Sequence, residues 1–246
     1  MTAFAELRRS ATTASRAIAT FLIRPTPAVP DAGAISRAAM TLWLLAFSFA
    51  ATALFALLAL PLILSTSFGP SETLRTALGQ SAISMILAVV ILGPLVEEAV
   101  FRGWLTGTMR AFAGSALFVA IWFGGSWLLT EYLSRSLSPA ILSGLAAAGL
   151  LAFVAVDRKD ARPEPTAWYR TIFPAIFWAQ GLLFGGLHAA NVASPSPILP
   201  LLMAAPLAIC GWLWGYARIA LGFGTAWMLH MAYNVPAAVA MLVLMT

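Results

Sequence analysis

The sequence predicts an all-α fold: a polytopic transmembrane helical bundle of about seven helices, with an amphipathic helix possible ahead of it. Three observations predict this. Of the 246 residues, 61% are hydrophobic and 9% are charged, against roughly 25% charged in an ordinary soluble domain. A soluble chain of this composition would lack the polar surface to cover itself. Seven apolar segments recur, at 40–66, 78–102, 111–130, 138–156, 171–190, 198–217 and 219–245, and each can supply the roughly 20 residues that cross a hydrocarbon core. The basic residues alternate between the loops as membrane topology demands. With a cytoplasmic N-terminus and seven crossings, 12 of the 14 lysines and arginines fall on the cytoplasmic side, and Arg75 and Arg135 fall outside.

The first 37 residues differ from the rest. They hold Arg8, Arg9, Arg16, Arg24 and Arg37 and the prolines Pro25, Pro27 and Pro30. Phe4, Leu7, Ala11, Ala14 and Ile18 recur at helical spacing. An amphipathic helix on the cytoplasmic leaflet is one expectation; a disordered basic tail is the other. The apolar run is too short for a signal peptide and ends in Arg24 and prolines. The net charge of +5 is carried by arginines lying between apolar runs, so the expected partner is membrane lipid and not nucleic acid. The single cysteine, Cys210, lies in an apolar run and is expected to be buried and inert. No sequence repeat of the transporter kind is present.

The second segment carries polar residues that a membrane disfavours. Glu97, Glu98 and Arg102 occur in the run LVEEAVFRGWL, and a charged residue at a helix centre costs roughly 2.5–3.5 kcal/mol on insertion scales. Glu98 and Arg102 are four apart, so they share a face and can pair; such a pair can also be no more than a packing lock. Glu97 is rotated by about 100° and needs another partner or water. Pro94, three residues earlier, cannot donate the usual backbone bond to Val90, and a kink there would open space beside Glu97.

Both histidines of the chain lie in apolar segments: His188 in LLFGGLHAANV and His230 in AWMLHMAYNV. Phe184 lies one turn before His188, and Asn234 one turn after His230. Asn191 reads as a polar residue at a helix end. Counted at about 1.5 Å per residue from the basic ends of their helices, Glu97 lies about 20 Å deep, His188 about 26 Å and His230 about 18 Å. One cavity can therefore hold all three. The glycine pairs Gly103/Gly107, Gly181/Gly185 and Gly211/Gly215 allow close helix contact.

These motifs resemble a known family. EEAVFR (Glu97 to Arg102), FGGLH (Phe184 to His188) and HMAYN (His230 to Asn234) resemble, in order, the EExxxR, FxxxH and HxxxN motifs of the CAAX prenyl-protein protease and bacteriocin-processing (CPBP, Abi-type) family of intramembrane metalloproteases. The resemblance covers about residues 78–245. It implies a transmembrane peptidase domain at 40–246 behind a basic segment at 1–37. About 80 residues separate the first two motifs, so a two-span insert is expected at about 111–170; an even number of added crossings keeps the second motif in its direction. The resemblance also implies an intramembrane endopeptidase acting on a peptide or protein substrate that can be lipidated; a bacterial inner membrane is the expected location, and the basic-residue bias puts the C-terminus outside.

By the same resemblance Glu97 is the base that activates water, His188 positions that water, Glu98 and Arg102 brace the helix, and His230 and Asn234 stabilise the oxyanion. Pro94 and Phe184 are supporting residues. Glu97, His188 and His230 are also the ligands if a zinc ion is used. There is no HExxH run, and the metal-free, Glu-activated water is the preferred expectation. From a different class, the same buried groups could serve a proton or ion relay, or the helices a non-catalytic scaffold.

Overall fold

The computed structural model describes residues 3–30, 35–72, 81–133, 139–157 and 164–245. Arg75, Arg135, Arg158, Lys159 and Arg162, which enter the charge pattern above, lie outside the described residues.

Among the described residues the chain forms eight helices. They are α1 (Ala3–Ile23) and α2 (Arg37–Ser65), then α3 (Ala82–Phe101), α4 (Met109–Val119 continuing through Gly125–Leu133), α5 (Pro139–Asp157), α6 (Ala167–Ala189), α7 (Ile198–Ala220) and α8 (Phe223–Met245). Six of them, α2, α3, α4, α6, α7 and α8, are long and apolar enough to cross a membrane; α5 carries a shorter apolar run, Ile141–Val156. At 19 residues α5 reaches about 28 Å, close to the thickness of a hydrocarbon core. The bundle of about seven helices therefore stands, with α5 its shortest member.

Short polar residues set the helix starts. Ser36 accepts from the amide of Ala39, Ser81 from Ser84 and Thr108 from Ala111, which satisfies amides that a helix start leaves open. Pro61, Pro174, Pro206 and Pro236 lie inside helices, as membrane helices tolerate. The outer surface keeps large apolar side chains exposed, Leu57, Leu64, Leu151 and Leu183 among them. In water such a surface would drive association; against lipid it costs nothing.

The bundle is built around α7, which packs on α6, α2 and α8. Trp214 and Tyr216 of α7 are fully buried, as are Phe173, Phe177 and Phe184 of α6 and Met40 and Leu44 of α2. Two of the three glycine pairs form the α6–α7 seam: a Cβ on Gly211 would lie 2.9 Å from the Cα of Gly181, and one on Gly185 would lie 2.7 Å from the Cβ of Ala208. The third pair allows close contact from a turn instead of a helix, with Ser115 of α4 and Phe153 of α5 against Gly103. Gly103 and Gly107 lie beyond the end of α3, and Gly107 takes a positive φ of 68° with a Tyr169 ring against it.

The N-terminal stretch is a docked helix. Ala14, Ile18 and Phe21 are buried, while Leu7, placed on the apolar face by its spacing, is 57% exposed. Phe21 packs edge-on against Phe177 and Tyr216 at centroid distances of 5.1 and 5.2 Å, and Trp43 donates to Ser10 at 2.9 Å.

α4 and α5 pack on each other, with Phe118 against Gly149 and Phe153 against Gly114. They meet the other helices where Leu95 and Ala99 of α3 join Phe118 and Ala146 in a second buried cluster. At the other end of α6, two-residue strands β1 (Gly69–Pro70) and β2 (Val192–Ala193) pair antiparallel. They tie the loop after α2 to the loop after His188.

Candidate active site

The path of α3 places the site. Its first turns are α-helical over Ala82–Ile86, then widen into a π-helical turn over Leu87–Leu92, and return to α-helix at Gly93–Phe101. The Gly93 amide bonds five residues back, to Ala88. In that register the next bond would run from residue 94 to Val89, but residue 94 is proline and has no N–H. Asn234 of α8 donates its Nδ2 to the Val89 carbonyl at 2.9 Å instead, and Trp227 donates to the carbonyl of Ile91 at 3.2 Å. The backbone irregularity beside Glu97 is thus a wide turn held by α8, where the sequence suggested a simple proline kink. Such turns concentrate at functional positions.

α3 also ends earlier than its hydropathy suggests. It stops at Phe101, and Arg102 caps it. Arg102, Gly103, Leu105 and Thr108 are buried, so the turn to α4 runs inside the protein. Arg218 closes this end by donating to the carbonyls of Arg102 (3.1 Å) and Gly103 (2.7 Å). The depth of about 20 Å reckoned for Glu97 counted those turn residues as helix; Glu97 lies only four residues, about 6 Å, from the end of α3.

Glu98 and Arg102 are both fully buried and paired. The guanidinium donates from Nη1 to Glu98 and from Nε to the carbonyl of Gly211 at 3.2 Å. Its plane lies over the Phe184 ring at 4.3 Å and near Trp214 at 5.3 Å. Gln180 donates to the same Gly211 carbonyl at 3.1 Å. Four contacts with fixed directions hold this arginine, and a buried charge requires them.

Glu98 in turn accepts from His230 Nδ1 at 3.0 Å. His230 stacks on Trp214, ring centroids 4.2 Å apart, and is almost fully buried. His188, in the last turn of α6, donates Nδ1 to the carbonyl of Phe184 at 2.7 Å. Both imidazoles therefore carry their fixed proton on Nδ1 and turn Nε2 toward a common point. Glu97 Oε2 lies there, 3.5 Å from Nε2 of His230 and 3.7 Å from Nε2 of His188. Both separations exceed a direct hydrogen bond of about 2.7–3.2 Å, and Oε2 has no hydrogen-bond partner among the described residues. Three acceptor atoms around one point call for a proton donor between them, such as water. Side-chain exposures of 31% for Glu97 and 23% for His188, against 3% for His230, show that the site opens past Glu97 and His188.

The structure therefore brings Glu97, Glu98, Arg102, Phe184, His188 and His230 into one connected cluster, with Pro94 and Asn234 framing the turn that carries it. Asn191 stays in the turn after α6, its side chain exposed. Cys210 is buried. Trp214, Gln180 and Arg218 belong to the cluster but were not singled out by sequence. Arg218 counted there as a loop charge, yet it is 4% exposed. The donor set has the chemistry of a zinc site, but among the described residues no three His, Cys, Asp or Glu side chains are arranged to hold a metal ion.

The family model for the type II CAAX prenyl endopeptidase Rce1-like proteins matches residues 79–236, well over half of the chain. The chain belongs to this family. The matched stretch contains every residue of the cluster and both helices of the α4–α5 pair, while α1 and α2 lie before it. Membership in the Rce1-like family makes the chain a CAAX-type intramembrane protease by class, an integral membrane hydrolase. Among curated proteins and among solved structures, neither comparison gave a significant match.

Proposed function

We propose that the chain is an intramembrane endopeptidase in which Glu97 activates water to hydrolyse a peptide bond. The observation that carries this reading is the convergence of Glu97 Oε2 with Nε2 of His188 and of His230. A water held there donates one proton toward Glu97 and is oriented by the His188 nitrogen. Glu97 takes the proton as the water oxygen adds to the substrate carbonyl carbon. The oxyanion is held by His230, whose ring Glu98 fixes through Nδ1, and by the Asn234 N–H not engaged with Val89. Collapse breaks the C–N bond as Glu97 returns the proton to the leaving amine. Glu98 and Arg102 fix the position of α3 and the tautomer of His230.

A peptide or protein substrate, lipidated or not, reaches the site from the membrane past Glu97 and His188. The proposed topology is N-terminus cytoplasmic and C-terminus outside, in a bacterial inner membrane, supported by the 12 basic residues assigned to one side. The direct test is cleavage of a farnesylated CAAX peptide and of its unmodified form by the purified protein in liposomes. Glu97→Gln is expected to lower the rate by about 10²–10⁴-fold while the folded protein accumulates. Undiminished cleavage by that variant would defeat the mechanism.

A further inference from the structure

His230 is held at one atom by Glu98, which it meets through Nδ1 at 3.0 Å. A bond through one ring atom sets a position but leaves the plane of the ring free to turn about it. The plane is set by Trp214 of α7, whose ring lies 4.2 Å away and 31° from parallel, with the Phe184 ring edge-on at 5.7 Å. Trp214 is fully buried, and its own orientation traces to α2. Its Nε1 donates to the Ser48 hydroxyl at 3.2 Å, and Ser48, also fully buried, donates to the Leu44 carbonyl at 2.9 Å. One turn further along α2, Thr52 donates to the Ser48 carbonyl at 3.1 Å, which leaves its oxygen to accept from the Tyr233 hydroxyl at 2.5 Å. Tyr233 follows His230 by three residues on α8. Its ring stands edge-on to Trp214 and stacks on Phe49 of α2, each at 5.3 Å.

A hydroxyl in a membrane helix can satisfy itself by bonding back to its own helix. Here two hydroxyls four residues apart, hence on one face of α2, each do that and also accept from an aromatic side chain of another helix. The back-bond uses the hydroxyl proton, so each oxygen is left as an acceptor, and the indole and the phenol are aimed at it. We propose that Ser48 and Thr52 are positioning residues for His230, acting through Trp214 and Tyr233. The proposal rests on the reading of His230 as a residue that holds the oxyanion. α2 lies before the stretch that the family model matches, so the support of the site reaches beyond the three motifs. The geometry leaves little slack: His230 Nε2 stands 3.5 Å from Glu97 Oε2, and a misplacement of about 1 Å can lower a rate by roughly 10²-fold.

The test uses the full chain in liposomes and two readouts. The chain holds two histidines, His188 and His230, so isotopic labelling of histidine nitrogen gives one imidazole signal set for each by solid-state NMR. Cleavage of a farnesylated CAAX peptide gives kcat and KM. Ser48→Ala and Thr52→Val each alter a side chain one aromatic ring removed from His230. Both should shift or broaden the His230 signals, leave those of His188 in place, and lower kcat by roughly tenfold at unchanged KM. Thr52→Ser, which keeps the hydroxyl, should match the parent. Tyr233→Phe should reproduce Thr52→Val, and the double variant should be no worse than either, because both remove the same bond. Cleavage that survives Glu97→Gln defeats the catalytic reading itself, and the histidine spectra stand apart from that result. Folded Ser48→Ala and Thr52→Val variants with unchanged His230 signals overturn the proposal, as does an unchanged kcat where the parent needs Glu97, or a loss of kcat that Thr52→Ser shares.

Discussion

Asn234 supplies to Val89 the hydrogen bond that Pro94 cannot make. Its Nδ2 stands 2.9 Å from the Val89 carbonyl, in the register of the π-helical turn that the Gly93 amide already follows. The two residues are therefore coupled through one backbone oxygen. Asn234→Ala leaves that carbonyl unsatisfied inside the bundle, at a cost of about 1–3 kcal/mol. Pro94→Ala returns an N–H to the same oxygen, so in the Asn234→Ala background it should recover much of the lost unfolding temperature. A thermal-shift double-mutant cycle measures this. If activity stays absent while stability returns, Asn234 contributes to the chemistry as well; if the two losses simply add, the coupling is wrong.

Metal dependence is decided by chelation. A Glu97-activated water without metal predicts cleavage that survives chelator treatment and dialysis, with substoichiometric metal by elemental analysis. Zinc bound one to one, whose removal abolishes cleavage and whose return restores it, would overturn the metal-free reading.

Much of the fold was legible because a bilayer reduces the choice to helices, and hydropathy finds helices. The Glu98–Arg102 pair was legible because four residues is one helical turn. The two histidines stood out because an apolar segment has few reasons to hold one. What sequence did not convey is set by contacts between helices. α3 ends at Phe101 because the following turn needs the positive φ of Gly107 and the Arg218 cap from α7. Arg218 itself looked like a loop charge, since nothing local distinguishes an arginine that snorkels from one that caps a buried helix end. Phe21 anchors α1 through rings of α6 and α7, Phe177 and Tyr216, which no periodicity within the first 37 residues can reveal.

Arg102 should not tolerate lysine. Its Nη1 meets Glu98, its Nε meets Gly211, and its plane covers Phe184. A lysine keeps the charge but has neither the fork nor the flat face. Arg102→Lys should lower stability and reduce cleavage together, and Arg102→Ala should cost more, roughly 3–5 kcal/mol, because Glu98 is left buried without its partner. Unfolding temperatures of the detergent-purified variants give the order; a lysine variant equal to the parent in both readouts would show that the fork is dispensable.

The seam between α6 and α7 sets the position of His188, and adjacent glycines test it. A Cβ on Gly185 would fall 2.7 Å from both the backbone nitrogen and the Cβ of Ala208, whereas one on Gly186 meets nothing within 4 Å. Backbone cannot rotate away as a flexible side chain does, so α6 must move. Gly185→Ala should then cost about 1–3 kcal/mol and, because His188 lies one turn further along the same helix, displace its Nε2 from Glu97 and depress cleavage. Gly186→Ala, facing open space on the same turn, should leave both quantities unchanged or raise stability slightly through helix propensity. Equal behaviour of the two variants would mean that α6 and α7 are not held at the spacing on which the Glu97–His188 distance depends.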